Sequence, residues 1–123
     1  MKQLAPNVDV TAEMLIRAIE SHNTHFFALM NDDGRIIGCA SLCVFESPTG
    51  SKASVEDVVV SSSYRGQKLG RKLMEHIIEY AKKNLSPIDL HLTSNPQRVS
   101  ANALYKAVGF ELRETNAYAM IIK

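Results

Sequence analysis

The strongest constraint on this chain lies between Val55 and Lys83, which reads as a strand, a turn and a long helix in immediate succession. Val55-Glu56-Asp57-Val58-Val59-Val60 is rich in β-branched residues, as a buried strand is. Leu69, Leu73, Ile77 and Ala81, with Met74 and Ile78 beside them, recur at helical spacing. Between them, Ser61-Ser62-Ser63-Tyr64-Arg65-Gly66-Gln67-Lys68-Leu69-Gly70 holds two glycines and two cations with no acid among them. A strand that turns through glycine into a helix N-terminus makes an anion site. The first-turn N–H groups have no intrahelical partner, and the helix dipole favours negative charge there. Arg65, Lys68, Arg71 and Lys72 add cations, and arginine binds phosphate bidentately. The same residues also suit a plain solvated basic helix start. Neither Gly-x-x-x-x-Gly-Lys-Ser/Thr nor Gly-x-Gly-x-x-Gly is present, which argues against a nucleoside-triphosphate loop and a dinucleotide fold.

The rest of the chain sets this unit in a sheet. Asp9 to Ser21 reads as a helix with Met14, Leu15, Ala18 and Ile19 on its apolar face. His25 to Met30 and Arg35 to Phe45 read as a hairpin around Asn31-Asp32-Asp33-Gly34. Lys52 to Val60 completes an antiparallel meander. After the long helix, Ile88 to Thr93 is a strand with Ile88, Leu90 and Leu92 on one face and Asp89, His91 and Thr93 on the other. Arg98 to Val108 is a helix, with Val99, Leu104 and Val108 inward and Gly109 as its C-cap. Phe110 to Arg113 and Ala117 to Ile122 read as a closing hairpin. A strand, helix and strand in sequence imply one parallel pair. The expected fold is therefore mixed α/β: a mostly antiparallel sheet with one parallel β-α-β pair, flanked by helices.

At 123 residues the expectation is one domain over 1–123. A net charge of +1 gives no general pull toward nucleic acid or an anionic membrane, and neither partner is expected. No apolar run approaches the ~20 residues of a bilayer span. Met1-Lys2-Gln3 is not followed by a signal-peptide core, so a cytoplasmic protein is expected. Cys39 and Cys43 share a strand face about 13 Å apart, too far to bridge, and read as core thiols. No metal site is expected: the histidines lack carboxylate partners at ligand spacing.

With these motifs in view, the chain resembles the GNAT (GCN5-related N-acetyltransferase) family. Arg65-Gly66-Gln67-Lys68-Leu69-Gly70 is similar to the family's coenzyme A signature, Arg/Gln-x-x-Gly-x-Gly/Ala, with Lys68 where a glycine is usual. Leu104-Tyr105-Lys106-Ala107-Val108-Gly109-Phe110 resembles its Leu-Tyr-x-x-x-Gly-Phe element. The resemblance implies acetyl-CoA as co-substrate and an acetyltransferase fold whose two parallel strands splay apart around the cofactor. Residues 58–60 and 65–71 would then line the cofactor: Val58 N–H at the thioester carbonyl, Val60 with Val59 beside the pantetheine arm, and Arg65, Gly66, Gln67, Lys68, Leu69, Gly70 and Arg71 at the pyrophosphate. Tyr105 matches the tyrosine that acts as general acid beside the sulfur. Arg98 stands where the family usually has Asn; Asn95 and Asn102 are nearby, each a candidate cofactor contact, and Arg98 is an alternative candidate for a phosphate. Compared with the family, the region before Phe26 is short and lacks a convincing first strand, which exposes a sheet edge and points to a homodimer.

Acetyl transfer to an amine needs a base, because an alkylammonium has a pKa near ~10.4. It also needs donors at the developing oxyanion. Glu56 and Asp57 interrupt an apolar strand, where unpaired charges are costly. Alternation puts Glu56 with Val58 and Val60 and sets Asp57 opposite. By resemblance to polyamine acetyltransferases with a Glu-Asp pair here, Glu56 is the candidate base, acting through water, and Asp57 holds a cationic acceptor with Thr93 on the acceptor side. The strand and turn also resemble glucosamine-6-phosphate acetyltransferases, so a small amine acceptor of either class fits. The competing readings are a non-catalytic acyl-CoA-binding or interaction module of the same fold, and a structural domain that binds no CoA.

Overall fold

The structure, a computed structural model, describes residues 23–61 and 68–123. The predicted helix over 9–21, the question of a first strand, and the turn residues Arg65, Gly66 and Gln67 lie outside the described residues. The chain divides into two units, Met1–Thr93 and Ser94–Lys123.

The first unit is the sheet and its long helix. Strands β1 (Thr24–Met30), β2 (Ile36–Ser47), β3 (Gly50–Val60) and β4 (Asp89–His91) lie in the order β1-β2-β3-β4. The first three pair antiparallel and β3 pairs parallel with β4. The β1–β2 turn is closed by Asn31, whose Oδ1 accepts hydrogen bonds from Asp33 N at 3.0 Å and Arg35 N at 2.9 Å. Helix α1 (Leu69–Asn84) connects β3 to β4, as the crossover reading requires.

Register assigns the two sheet faces. His25, Leu42 and Val55 lie in one cross-strand row, and Phe27 lies opposite Ala40. His25 and Phe27 meet α1 through Tyr80 and His76. Ala40, Leu42, Ala53 and Val55 therefore form the core with Leu73, Met74, Ile77 and Ala81, and every one of them is buried. The opposite face carries the row Thr24, Cys43, Ser54 and His91, and the row Phe26, Ser41 and Glu56. Cys39, also on that face, is buried, Cys43 is half-buried, and both thiols are free.

Two irregularities in β3 shape the region around Glu56. The first is the short β3–β4 ladder, which covers only Lys52, Ala53 and Ser54 against Asp89, Leu90 and His91. Beyond Ser54, β3 continues to Val60 with β2 on one side and no β4 partner among the described residues. The expected strand over 88–93 is thus shorter, and the parallel pair parts in its middle. The second irregularity is a bulge. Ser41 pairs with Glu56 and Cys39 with Val59, so Asp57 and Val58 together stand opposite Ala40. Asp57 takes a φ of 54°, the left-handed region that a bulge of this kind needs.

The second unit contains helix α2 (Val99–Ala107). It ends in a Schellman motif: Gly109 N donates to Lys106 O at 3.2 Å, and Phe110 N donates to Tyr105 O at 3.0 Å. Gly109, at φ 116°, supplies the positive φ, and Tyr105 packs edge-on to Phe110 with ring centroids 6.3 Å apart. The C-cap reading thus holds, and the inward face holds in part: Leu104 and Val108 are half-buried, Val99 is 75% exposed, and Tyr105 is the buried residue of α2. Val99 is the first helical residue, where no preceding turn covers it. The closing hairpin is also corrected. Among the described residues, 110–123 form no ladder, and Leu112, Tyr118, Met120, Ile121 and Ile122 are exposed. Glu114-Thr115-Asn116 lacks the glycine that a tight hairpin turn favours, and an isolated two-stranded hairpin is marginal in water.

Candidate functional site

The candidate site forms where β3 leaves β4. Glu56 lies two residues beyond the last ladder residue, Ser54, and just before the bulge. Its side chain is exposed, and its Oε1 accepts a hydrogen bond from Ser54 Oγ at 2.7 Å. Ser41 lies directly across on β2. The bulge changes the expected alternation. One extra residue resets the parity of the strand, so Glu56 shares its face with Val59 rather than with Val58 and Val60. Val58 instead stands with Asp57 at the bulge, and neither has a register partner of its own on β2. A bulge re-aims backbone groups away from the ladder.

The electrostatics of the pair are one-sided. Among the described residues neither Glu56 nor Asp57 has a lysine or arginine within ion-pair distance; the ion pairs there are Arg71–Glu75 and Lys83–Glu79 on α1. Partial burial, and then the neighbouring Glu56 charge, raise the Asp57 carboxyl above its ordinary value. Burial raises the Cys39 and Cys43 thiols as well, with Asp57 adding to the Cys39 shift. Both cysteines therefore stay protonated and are poor nucleophiles at neutral pH.

The Asp57 shift carries a sign. A carboxyl that holds its proton more tightly in the folded chain than in the unfolded one gives stability that falls as pH rises through the window between the two values, and the deficit persists above it. Asp57→Asn removes the charge while keeping a residue that tolerates positive φ. It is expected to raise Tm by roughly 1–3 °C at pH 7.5. The gain should vanish below about pH 4, where the aspartate is itself protonated. Thermal melts of both proteins across that range are the check; a gain that persists in acid would assign it to the backbone instead.

At the start of α1, Lys68 takes φ 59° and is the N-cap, with no side-chain cap bond. The residue that departs from the glycine of the signature thus adopts the conformation glycine favours. The first-turn N–H groups receive no cap from it, and no acid stands in that turn. Leu69 and Gly70 are half-buried in this turn, and Arg71 Nε lies 3.6 Å from Glu75 Oε2. Thr93 is exposed just past β4. In the second unit, Tyr105 is buried. Asn102 Nδ2 donates to Asn95 O at 3.0 Å and Arg98 O at 2.8 Å, which ties its amide nitrogen to the backbone around the start of α2.

Sequence reasoning did not find Ser54 or the bulge. The bulge had a faint signal, since Asp is among the few non-glycine residues that enter the left-handed region readily. Ser54 had one too: it lies two residues from Glu56, hence on the same strand face.

Comparison with known proteins bears on this geometry. The model of the acetyltransferase (GNAT) family matches residues 3–110. A streptothricin acetyltransferase of Streptomyces lavendulae is 29% identical over 93 residues, covering 74% of this chain and 47% of its own length. The chain thus spans about half the length of that curated relative. Among solved structures, a glucosamine-6-phosphate N-acetyltransferase from Arabidopsis thaliana aligns with a TM-score of 0.78 at 20% identity, over 98% of this chain and 88% of its own. An aminoglycoside acetyltransferase from an uncultured soil metagenomic sample aligns with a TM-score of 0.79 at 16% identity, over 94% and 78%. At these identities the structural likeness is one of fold.

Proposed function

The chain belongs to the acetyltransferase (GNAT) family, and from that premise we propose that it is an acetyl-CoA-dependent N-acetyltransferase that acetylates a primary amine of a small acceptor by direct attack. The observation that carries the reading is the join of base and bulge: Glu56, Asp57 and Val58 follow one another at the point where β3 parts from β4.

Acetyl-CoA supplies an activated acetyl group as a thioester. The described residues suit such a molecule. Among the described residues, 55–59 have no β4 strand along the edge away from β2, and an extended arm bearing amides suits that edge. The start of α1, whose first-turn N–H groups receive no cap from the Lys68 side chain and which has Arg71 and Lys72 in its first turns, suits a diphosphate, and Arg65, Gly66 and Gln67 are assigned to it by motif.

Glu56 accepts the proton of the acceptor ammonium through water, which frees the lone pair for attack on the acetyl carbon. Val58 N–H stabilises the charge that develops on the carbonyl oxygen. Tyr105, assigned by motif, protonates the departing thiolate. One N–C bond forms and one C–S bond breaks; of the two protons the ammonium nitrogen gives up, one leaves through Glu56 and water, and the other replaces the proton that Tyr105 gives to sulfur. No covalent enzyme intermediate is required, in keeping with the protonated thiols of Cys39 and Cys43.

The acceptor we propose is cationic, of polyamine or multiply aminated type. Two adjacent carboxylates without a described cation partner attract ammonium groups and repel a phosphate monoester. Asp57 and Thr93 are its assigned contacts. The working form we propose is a single-domain, cytoplasmic homodimer with no nucleic-acid or membrane partner. A monomer by light scattering at assay concentration would remove the dimer.

The test is free-thiol release from acetyl-CoA across spermidine, sisomicin and glucosamine 6-phosphate, with acetyl-CoA binding measured by calorimetry on the same sample. Turnover is expected with the cationic amines and not with the sugar phosphate. Binding without turnover of any amine would favour the non-catalytic module, and no binding would overturn the reading of the Arg65–Arg71 turn.

A further inference from the structure

We infer that Ser54 is the positioning residue of Glu56, holding one carboxylate oxygen so that the other is presented to the acceptor. The inference rests on the proposed role of Glu56 as the base. Ser54 Oγ donates to Glu56 Oε1 at 2.7 Å, within the range of charge-assisted hydrogen bonds. The two residues are two apart on one strand and share a face.

Their backbones differ in support. Ser54 pairs with Cys43 on β2 and with His91 on β4, so a strand holds it on each side. Glu56 pairs with Ser41 on β2 and has no β4 partner among the described residues. The donor thus sits on the fixed side of the split and the base on its open side. An exposed glutamate has three rotatable bonds and samples many rotamers. A fixed hydroxyl on Oε1 selects among them and leaves Oε2 to receive the proton.

A second serine–glutamate pair in the same sheet shows the contrast. Ser51 Oγ lies 2.8 and 2.7 Å from the two oxygens of Glu46, beside the β2–β3 turn. That hydroxyl engages the whole carboxylate, as a structural clasp does. Ser54 engages one oxygen of Glu56.

The test compares Ser54→Thr with Ser54→Val in the full chain, in parent and Glu56→Gln backgrounds, using acetyl-CoA and the panel amine with the highest turnover. Threonine and valine have nearly the same shape and both suit a strand; only the hydroxyl differs. Ser54→Val is expected to lower kcat about tenfold relative to Ser54→Thr, a factor in keeping with one charge-assisted hydrogen bond. KM for the amine should change by less than about twofold, since the bond acts on the base and not on binding. In the Glu56→Gln background the threonine–valine difference should largely disappear, because the basic oxygen it positions is gone. Equal kcat for the two variants would overturn the inference. So would an equal difference in both backgrounds, which would make Ser54 a structural residue. If Glu56→Gln alone leaves kcat unchanged, the base assignment fails and this inference falls with it.

Discussion

Glu56→Gln is expected to lower kcat for amine acetylation by roughly 100-fold or more at pH 7, the range that removal of a positioned general base produces. Glutamine keeps the size of the side chain and an oxygen that can accept from Ser54, but it has no basic site. Acetyl-CoA affinity should be unchanged, because Glu56 is placed at the acceptor and not along the cofactor edge. The pH dependence makes the prediction specific. An alkylammonium acceptor near pKa ~10.4 is almost wholly protonated at pH 7, and its free-base fraction grows about tenfold for each pH unit. Solvent therefore supplies the deprotonated amine as pH rises, and the deficit of Glu56→Gln should narrow steadily toward pH 10. Removing the charge also relieves the repulsion that raises the Asp57 carboxyl, so the variant should melt no lower than the parent. Initial rates of thiol release from pH 6.5 to 10, with calorimetry for acetyl-CoA, are the measurement. A deficit that stays constant across this range would mean that Glu56 orients the amine without accepting its proton. Full activity at pH 7 would remove it from the chemistry.

What the sequence made legible divides along a physical line. The β3–α1 succession was readable because both of its periodicities are local: β-branched residues in 55–60, and Leu73, Ile77 and Ala81 one helical face apart. The Asn31 turn and the Gly109 cap were readable for the same reason, since each rests on one residue's backbone freedom or side-chain reach. The facing of Glu56 was not. Alternation counts residues along one strand, but a bulge is a relation between two strands, and only the pairing of Ser41 with Glu56 and Cys39 with Val59 reveals it. The split of β3 from β4 likewise depends on where the Lys52–Ser54 ladder stops. Residues 117–122 show the converse error. Their apolar, β-forming composition describes what a strand needs from its own side chains, yet a strand exists only with a partner, and the described structure gives these residues none.

Partnership between strands also places the largest stability effect, at Leu42. Its side chain is 0% exposed, lies in the cross-strand row between His25 and Val55, and faces the α1 side where Leu73, Met74 and Ile77 complete the core. Leu42→Ala removes apolar contacts and opens a cavity that strands on both sides and a helix above prevent from collapsing. A loss of about 3 kcal/mol is expected. For a chain of this size that lowers Tm by roughly 10 °C. Leu112 provides the matched control, because it is the same residue type at 83% exposure. Leu112→Ala should change stability by less than about 0.5 kcal/mol. The check is urea denaturation of parent and both variants, with the slope against urea compared as well as the midpoint. An unchanged slope with a lower midpoint for Leu42→Ala reports lost packing in a native state that still buries the same surface. A changed slope would mean that the sheet had come apart locally, and the row from His25 to Val55 would then be a hinge of the fold rather than its centre. Comparable losses at Leu42 and Leu112 would show that residue 112 is covered in solution, and the exposed 110–123 segment would have to be reassigned to an interface.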